Sequence, residues 1–132
     1  MGEATRSGPG RLLVAVYGIF AIAATSRSAV QIATRFDHAP VAYLLSAFAA
    51  VVYVVATIAL GLGSRTSRRV ALAACAAELT GVLVIGAVSL VAPHWFPDAT
   101  VWSDFGRGYL FIPLVLPLLG LLWIRRTRGV AA

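Results

Sequence analysis

The chain reads as an all-α membrane protein, a four-transmembrane-helix bundle running up-down-up-down with both termini cytoplasmic. Three observations predict this. Of the 132 residues, 60% are hydrophobic and only 12% charged, about half the charged share of an ordinary soluble domain. The apolar residues fall into four runs of about 20, the length that crosses a hydrocarbon layer. Arginines cluster at the ends of those runs, as in proteins that follow the positive-inside rule. Four spans and their loops occupy the sequence, leaving no room in it for a separate soluble catalytic domain.

The elements follow in order. Residues 1–10, rich in Gly, Ser and Pro, are expected to form a mobile polar tail, residues 11–128 a single membrane domain, and residues 129–132 a C-terminal tail. Span 1 covers about 12–34, and its second half is semi-polar through Thr25, Ser26, Arg27, Ser28 and Gln31. Arg6 and Arg11 before an apolar stretch, with Ala21-Ile22-Ala23 behind them, resemble a signal peptide. The stretch continues past that point, so an uncleaved first span is expected. Arg at position 6 breaks the myristoylation pattern. A tight loop, Phe36-Asp37-His38-Ala39-Pro40, leads to span 2 at about 41–62, and a short basic loop leads to span 3 at about 70–91.

The longest connection, 92–107, holds Trp95 and Trp102 among Pro and Asp residues. It reads as an interfacial aromatic belt, a segment lying in the membrane plane. Span 4, at about 108–124, carries Pro113 and Pro117 one turn apart, a pairing that favours a kink. Orientation follows from the arginines. Arg6, Arg11, Arg65, Arg68, Arg69, Arg125, Arg126 and Arg128 fall on one side; Arg27, Arg35 and Arg107 fall on the other, offset by Asp37, Asp98 and Asp104. The first side is therefore cytoplasmic, and the protein is expected to be a multi-pass protein of the inner (plasma) membrane. The same placement argues against nucleic acid as the reason for the net charge of +6.

Glu78 is the candidate chemical centre. It lies about 12 Å along the helix from Val70, near the middle of a hydrocarbon layer about 30 Å thick. A carboxylate there must face protein, water or a partner charge. Tyr53, about 14 Å from the end of span 2, reaches the same depth, and Tyr17 on span 1 is a further candidate partner. Two roles fit: a proton- or cation-binding carboxylate, or a protonated or hydrogen-bonded Glu that fixes helix packing. Arg27, Gln31 and Arg35 recur every four residues as an outer-face polar stripe. Asp37 and Asp104 are their natural counter-ions, and an anionic headgroup is the ligand such a stripe would suit.

Packing faces are also legible. Tyr43, Ser46, Ala50, Tyr53 and Thr57 share one side of span 2, and Ala73, Ala77 and Gly81 form a small-residue ladder on span 3. The single cysteine, Cys75, excludes an internal disulfide and reads as a buried apolar thiol. His38 and His94 have no metal-ligand spacing, and there is no catalytic triad pattern or phosphate-binding glycine loop. No catalytic residue, metal site or cofactor is therefore assigned.

Three stretches carry a resemblance. They are Ala24-Thr25-Ser26-Arg27-Ser28 with Gln31 to Phe36; Glu78-Leu79-Thr80-Gly81-Val82-Leu83; and Phe96 to Ser103 continuing through Gly108-Tyr109 to Pro113 and Pro117. Together they resemble small four-span integral membrane proteins of actinobacteria to which no activity is assigned. The resemblance implies an actinobacterial inner membrane and transfers no site residue. Small multidrug transporters are also short four-span proteins, but their essential Glu lies in the first helix, whereas span 1 here has no acid.

The function expected from these features is a structural or accessory subunit of a membrane or envelope assembly. It would be partnered by the lipid bilayer and by another membrane protein or a second copy. A small oligomeric proton- or cation-coupled transporter or channel using Glu78 is the alternative, followed by a lipid-binding or lipid-modifying membrane protein.

Overall fold

In a computed structural model the described residues are 8–126, except Gly63, Asp98, Ala99 and the side chain of Pro9. The tail to residue 7, Asp98 and the C-terminal segment with Arg128 lie outside them. Four α-helices account for most of the described chain: α1 (Gly8–Arg35), α2 (Pro40–Leu62), α3 (Arg65–Val91) and α4 (Ile112–Arg126). Short 3-10 turns occur at Phe36–His38, Pro93–Trp95 and Ser103–Tyr109, and there is no strand among the described residues.

The chain is all-helical, and α1, α2 and α3 are long and apolar enough to cross a membrane. The fourth candidate differs from the expectation. Helix α4 starts at Ile112, four residues later than the apolar run suggests, and its 15 residues span only about 22 Å. It completes a crossing only together with Ser103–Tyr109, from which it is bent by 98°. The break has a local cause. Leu110 and Phe111 both have left-handed backbone, as do Asp104, Phe105 and Gly106 before them, and successive residues of that hand cannot continue a right-handed helix. Pro113 then sits in the first turn of α4, where its missing N–H matters least.

The other ends show ordinary chemistry. Pro40 opens α2 as its first helical residue. Ser64 caps α3 by accepting a hydrogen bond from the Ser67 backbone N–H at 3.0 Å. That cap starts α3 five residues before the predicted span. Glu78 therefore falls at the midpoint of a 27-residue helix, about 20 Å from either end.

The interior is built from small residues and tyrosines. Ala42, Ala49, Ala56, Ala59 and Ala71 are buried beside Tyr17, Tyr43 and Tyr53. Outward positions such as Ile19, Ile22, Val51, Ile58, Val84 and Leu118 are exposed. This is the membrane pattern, with close backbone approach inside and branched apolar chains toward lipid. Consecutive helices pack against each other, whereas α1 and α4 touch little and leave a groove of about 560 Å³ between Leu12, Val16, Leu119 and Trp123. The Ala73–Ala77–Gly81 ladder is packed in part: Ala77 lies against the core and Gly81 under Trp102. Ala73 is exposed, and the buried line is Ala71, Ala74, Cys75, Glu78 and Val82.

The connection 100–111 departs most from the sequence reading. Trp102 is not in an interfacial belt: it is 1% exposed. Its indole lies flat over Gly81, where a Cβ would come within 2.5 Å of the ring. Phe105 fills the equivalent space at Gly86. Gly81 is ten residues inside the end of α3, so the loop reaches about 15 Å into the bundle. Trp95 stays exposed. Only glycine permits these contacts. Gly81→Ala and Gly86→Ala are expected to lower stability by about 1–3 kcal/mol through overpacking, despite alanine's better helix propensity. Gly61→Ala, with nothing within 4 Å of its added Cβ, should be neutral or slightly stabilising. Thermal unfolding in detergent micelles measures all three.

Candidate functional site

Helices α1, α2 and α3 and the inserted loop each send a group to one buried point. Glu78 of α3 is 0% exposed. The Tyr17 hydroxyl from α1 donates to its Oε1 at 2.8 Å. One turn before Glu78, the Cys75 thiol lies 3.4 Å from the same hydroxyl. Since the tyrosine proton is committed to the carboxyl, Cys75 acts as donor to the tyrosine oxygen. From α2, Tyr53 stacks obliquely on Tyr17 and on Phe20, with ring centroids 6.2 and 5.6 Å apart. The Trp102 indole N–H donates to the Tyr53 oxygen at 3.3 Å. Indole has no acceptor, so the Tyr53 proton stays available to Glu78, within whose electrostatic reach it lies.

Helix α4 contributes an absence of side chain. A Cβ on Gly120 would sit 2.7 Å from the Cys75 sulfur and 3.2 Å from the Tyr17 oxygen. Glycine there lets α4 close the centre from its last side. The three residues singled out from sequence, Glu78, Tyr53 and Tyr17, are thus brought together. Trp102, Cys75 and Gly120 complete the site, and none of them carries a sequence signal for that role. The second carboxyl oxygen, Oε2, is buried and makes no hydrogen bond of good geometry among the described residues.

The loop that delivers Trp102 supplies its own polar partners, as backbone at membrane depth must. The Thr100 N–H donates to the Ser103 hydroxyl at 2.8 Å, and the Trp102 N–H to the Thr100 hydroxyl at 3.1 Å. One turn later, the Asp104 N–H donates to the Ser89 hydroxyl at 2.8 Å. The Ser89 proton has two acceptors, the Gly86 carbonyl at 2.8 Å and the Asp104 carboxylate at 3.2 Å.

The outer stripe is divided. Arg27 and Arg35 are exposed, while Gln31 is buried together with Ser28. A spacing of four drifts around a helix of 3.6 residues per turn. The buried line instead runs Leu13, Tyr17, Ala21, Ser28 and Gln31. Arg27 donates to the Tyr109 hydroxyl. Asp104 turns to Ser89, and Asp37 is exposed in the turn after α1. Between Arg27, Ser28, Ser46 and Tyr109 lies a cavity of about 20 Å³, room for one water-sized molecule.

Chemically, the centre can hold a carboxyl through hydroxyl, thiol and indole groups. Among the described residues there is no group of three or more His, Cys, Asp or Glu that could hold a metal ion. Tyr17→Phe is expected to cost about 1–3 kcal/mol, because it leaves Glu78 short of a donor. In a Glu78→Leu background the same change should cost under about 0.5 kcal/mol. Unfolding of the four proteins in the double-mutant cycle decides it; an equal cost in both backgrounds removes the Tyr17–Glu78 bond as a stabilising contact.

No family model matches this chain, and neither does any curated protein or solved structure.

Proposed function

We propose that the chain is a structural or accessory subunit of a membrane or envelope assembly, oriented with its arginine-rich end toward the cytoplasm. The closure of the Glu78 site carries this reading. Glu78, the one acid on an α-helix among the described residues, is enclosed by Tyr17, Tyr53, Cys75, Gly120 and the Trp102 loop. A carboxyl used in this way specifies how helices pack and is not offered to a passing ion. What the bundle leaves open is lateral. The apolar groove between α1 and α4 faces sideways, where a neighbouring membrane helix would lie.

A second reading has one observation in its favour. Oε2 of Glu78 lacks a hydrogen bond of good geometry, as a carboxyl awaiting a proton or cation would. A transporter needs the centre to open; a packing subunit does not.

Cys75, which touches the centre and is fully buried, is a built-in reporter. In proteoliposomes, N-ethylmaleimide should label it at least about tenfold more slowly than after denaturation, since a reagent must wait for an opening. Glu78→Gln should fold and assemble normally and leave proton flux unchanged. Native labelling as fast as that of the unfolded chain, with a proton flux lost in Glu78→Gln, would establish the transport reading instead.

A further inference from the structure

At the arginine-rich end, a second feature is built from the start of α3 and the end of α4. A cleft of about 540 Å³ is lined by Arg68, Arg69, Leu72, Leu121, Ile124 and Arg125. Its lining is divided between three arginines and three branched apolar residues. Arg68 is half-buried and donates to the Ile124 carbonyl at 3.2 Å, binding the last turn of α4 to the first turn of α3. Its Nε is buried with no partner among the described residues. Arg69 and Arg125 are exposed beside it.

Among the described residues no acid lies at this end. The described acids are Asp37, in the turn after α1, Asp104, held by Ser89 near the far end of α3, and Glu78, sealed in the centre. Three like charges around one opening repel each other, and an anion placed among them removes that repulsion. Guanidinium groups bind phosphate through paired N–H donors. A small free anion would leave the wall of Leu72, Leu121 and Ile124 unused. A ligand that is a phosphate at one end and a hydrocarbon at the other uses both.

We propose that this cleft binds an anionic phospholipid, its phosphodiester among Arg68, Arg69 and Arg125 and an acyl chain along Leu72 and Leu121. Basic pockets between helices at a membrane surface suit such headgroups. The site lies at the opposite end from the Arg27–Arg35 stripe and does not depend on the role of Glu78.

The test uses the full chain in detergent micelles, titrated with phosphatidylglycerol, phosphatidylcholine or inorganic phosphate, with bound lipid counted by native mass spectrometry. Phosphatidylglycerol is expected to bind at one saturable site, and phosphatidylcholine at least about tenfold more weakly. Arg69→Gln/Arg125→Gln should weaken phosphatidylglycerol binding about 25-fold, the product of about fivefold for each arginine. Arg11→Gln/Arg126→Gln removes the same charge from the same end outside the cleft and should bind as wild type. If the double variant is not recovered folded, the two single variants carry the test at about fivefold each. The proposal is overturned by wild-type affinity in the cleft variants, by an equal loss in the Arg11/Arg126 control, or by equal binding of phosphatidylcholine. Displacement of the lipid by inorganic phosphate at equal concentration would also overturn it, marking a simple anion site.

Discussion

A carboxyl at the midpoint of a 27-residue apolar helix is the constraint around which this bundle is arranged. Exposing a charged side chain to hydrocarbon at that depth costs about 2.5–3.5 kcal/mol on insertion scales, and more on others. Stabilities of whole domains are only about 5–15 kcal/mol, so a rotation of α3 that turned Glu78 outward would forfeit a large part of the total. The same argument fixes its neighbours. Tyr17 must face α3, which sets the rotation of α1. Gly120 must lie against Cys75, which sets how close α4 comes. Apolar packing alone would specify these rotations weakly, because one alanine face resembles another. One buried polar group distinguishes them, as a single buried asparagine fixes register in a coiled coil.

The inserted loop obeys the same logic at greater local cost. Asp104, Phe105, Leu110 and Phe111 all have positive φ, a conformation disfavoured by about 1–2 kcal/mol for each side-chain-bearing residue. Against this stands the burial of Trp102 and Phe105 on Gly81 and Gly86. A fully buried large aromatic side chain removes about 150–250 Å² from water, which at about 25 cal/mol per Å² is worth several kcal/mol for Trp102 and less for the half-buried Phe105. Close-range hydrogen bonds through Thr100, Ser103 and Ser89 keep the loop backbone from being stranded in an apolar medium. The strained turns therefore accompany a deep seal over the carboxyl.

This explains which parts of the protein were legible in its residues. Glu78 and Tyr53 could be matched because helical rise converts sequence position into depth, and both stand in runs whose ends are marked. The all-helical class and the first three spans followed from the apolar runs in the same way. Trp102 could not be placed by that route. A tryptophan among prolines and aspartates near a span end has the same local signature whether it rests at the interface or folds inward. Gly81, twenty-one residues earlier in the chain, decides between the two, and its i, i+4 relation to Ala77 imitates a helix-packing ladder. Gly120 is silent for the same reason: one glycine in an apolar run gives no sign of what approaches it. The later start of α4 depends on left-handed residues at 110 and 111, neither of them a glycine or asparagine that would have advertised the turn.

The two ends of the bundle divide its chemistry. Near the inserted loop Thr100 pairs with Ser103 and Ser89 with Asp104. At the arginine end, charge lines an open cleft. These regions are joined through α4. Arg68 grips the Ile124 carbonyl, and Gly120, against Cys75 and Tyr17, is one helical turn away, about 6 Å along the axis. A ligand drawing the arginines together would act on α4 just where that helix closes the carboxyl site. Because glycine allows that contact without a side chain to cushion it, a small displacement of α4 would be felt directly by the Tyr17 hydroxyl. The closed centre is thus set by internal packing and also by whatever holds the arginine-rich ends of α3 and α4 together.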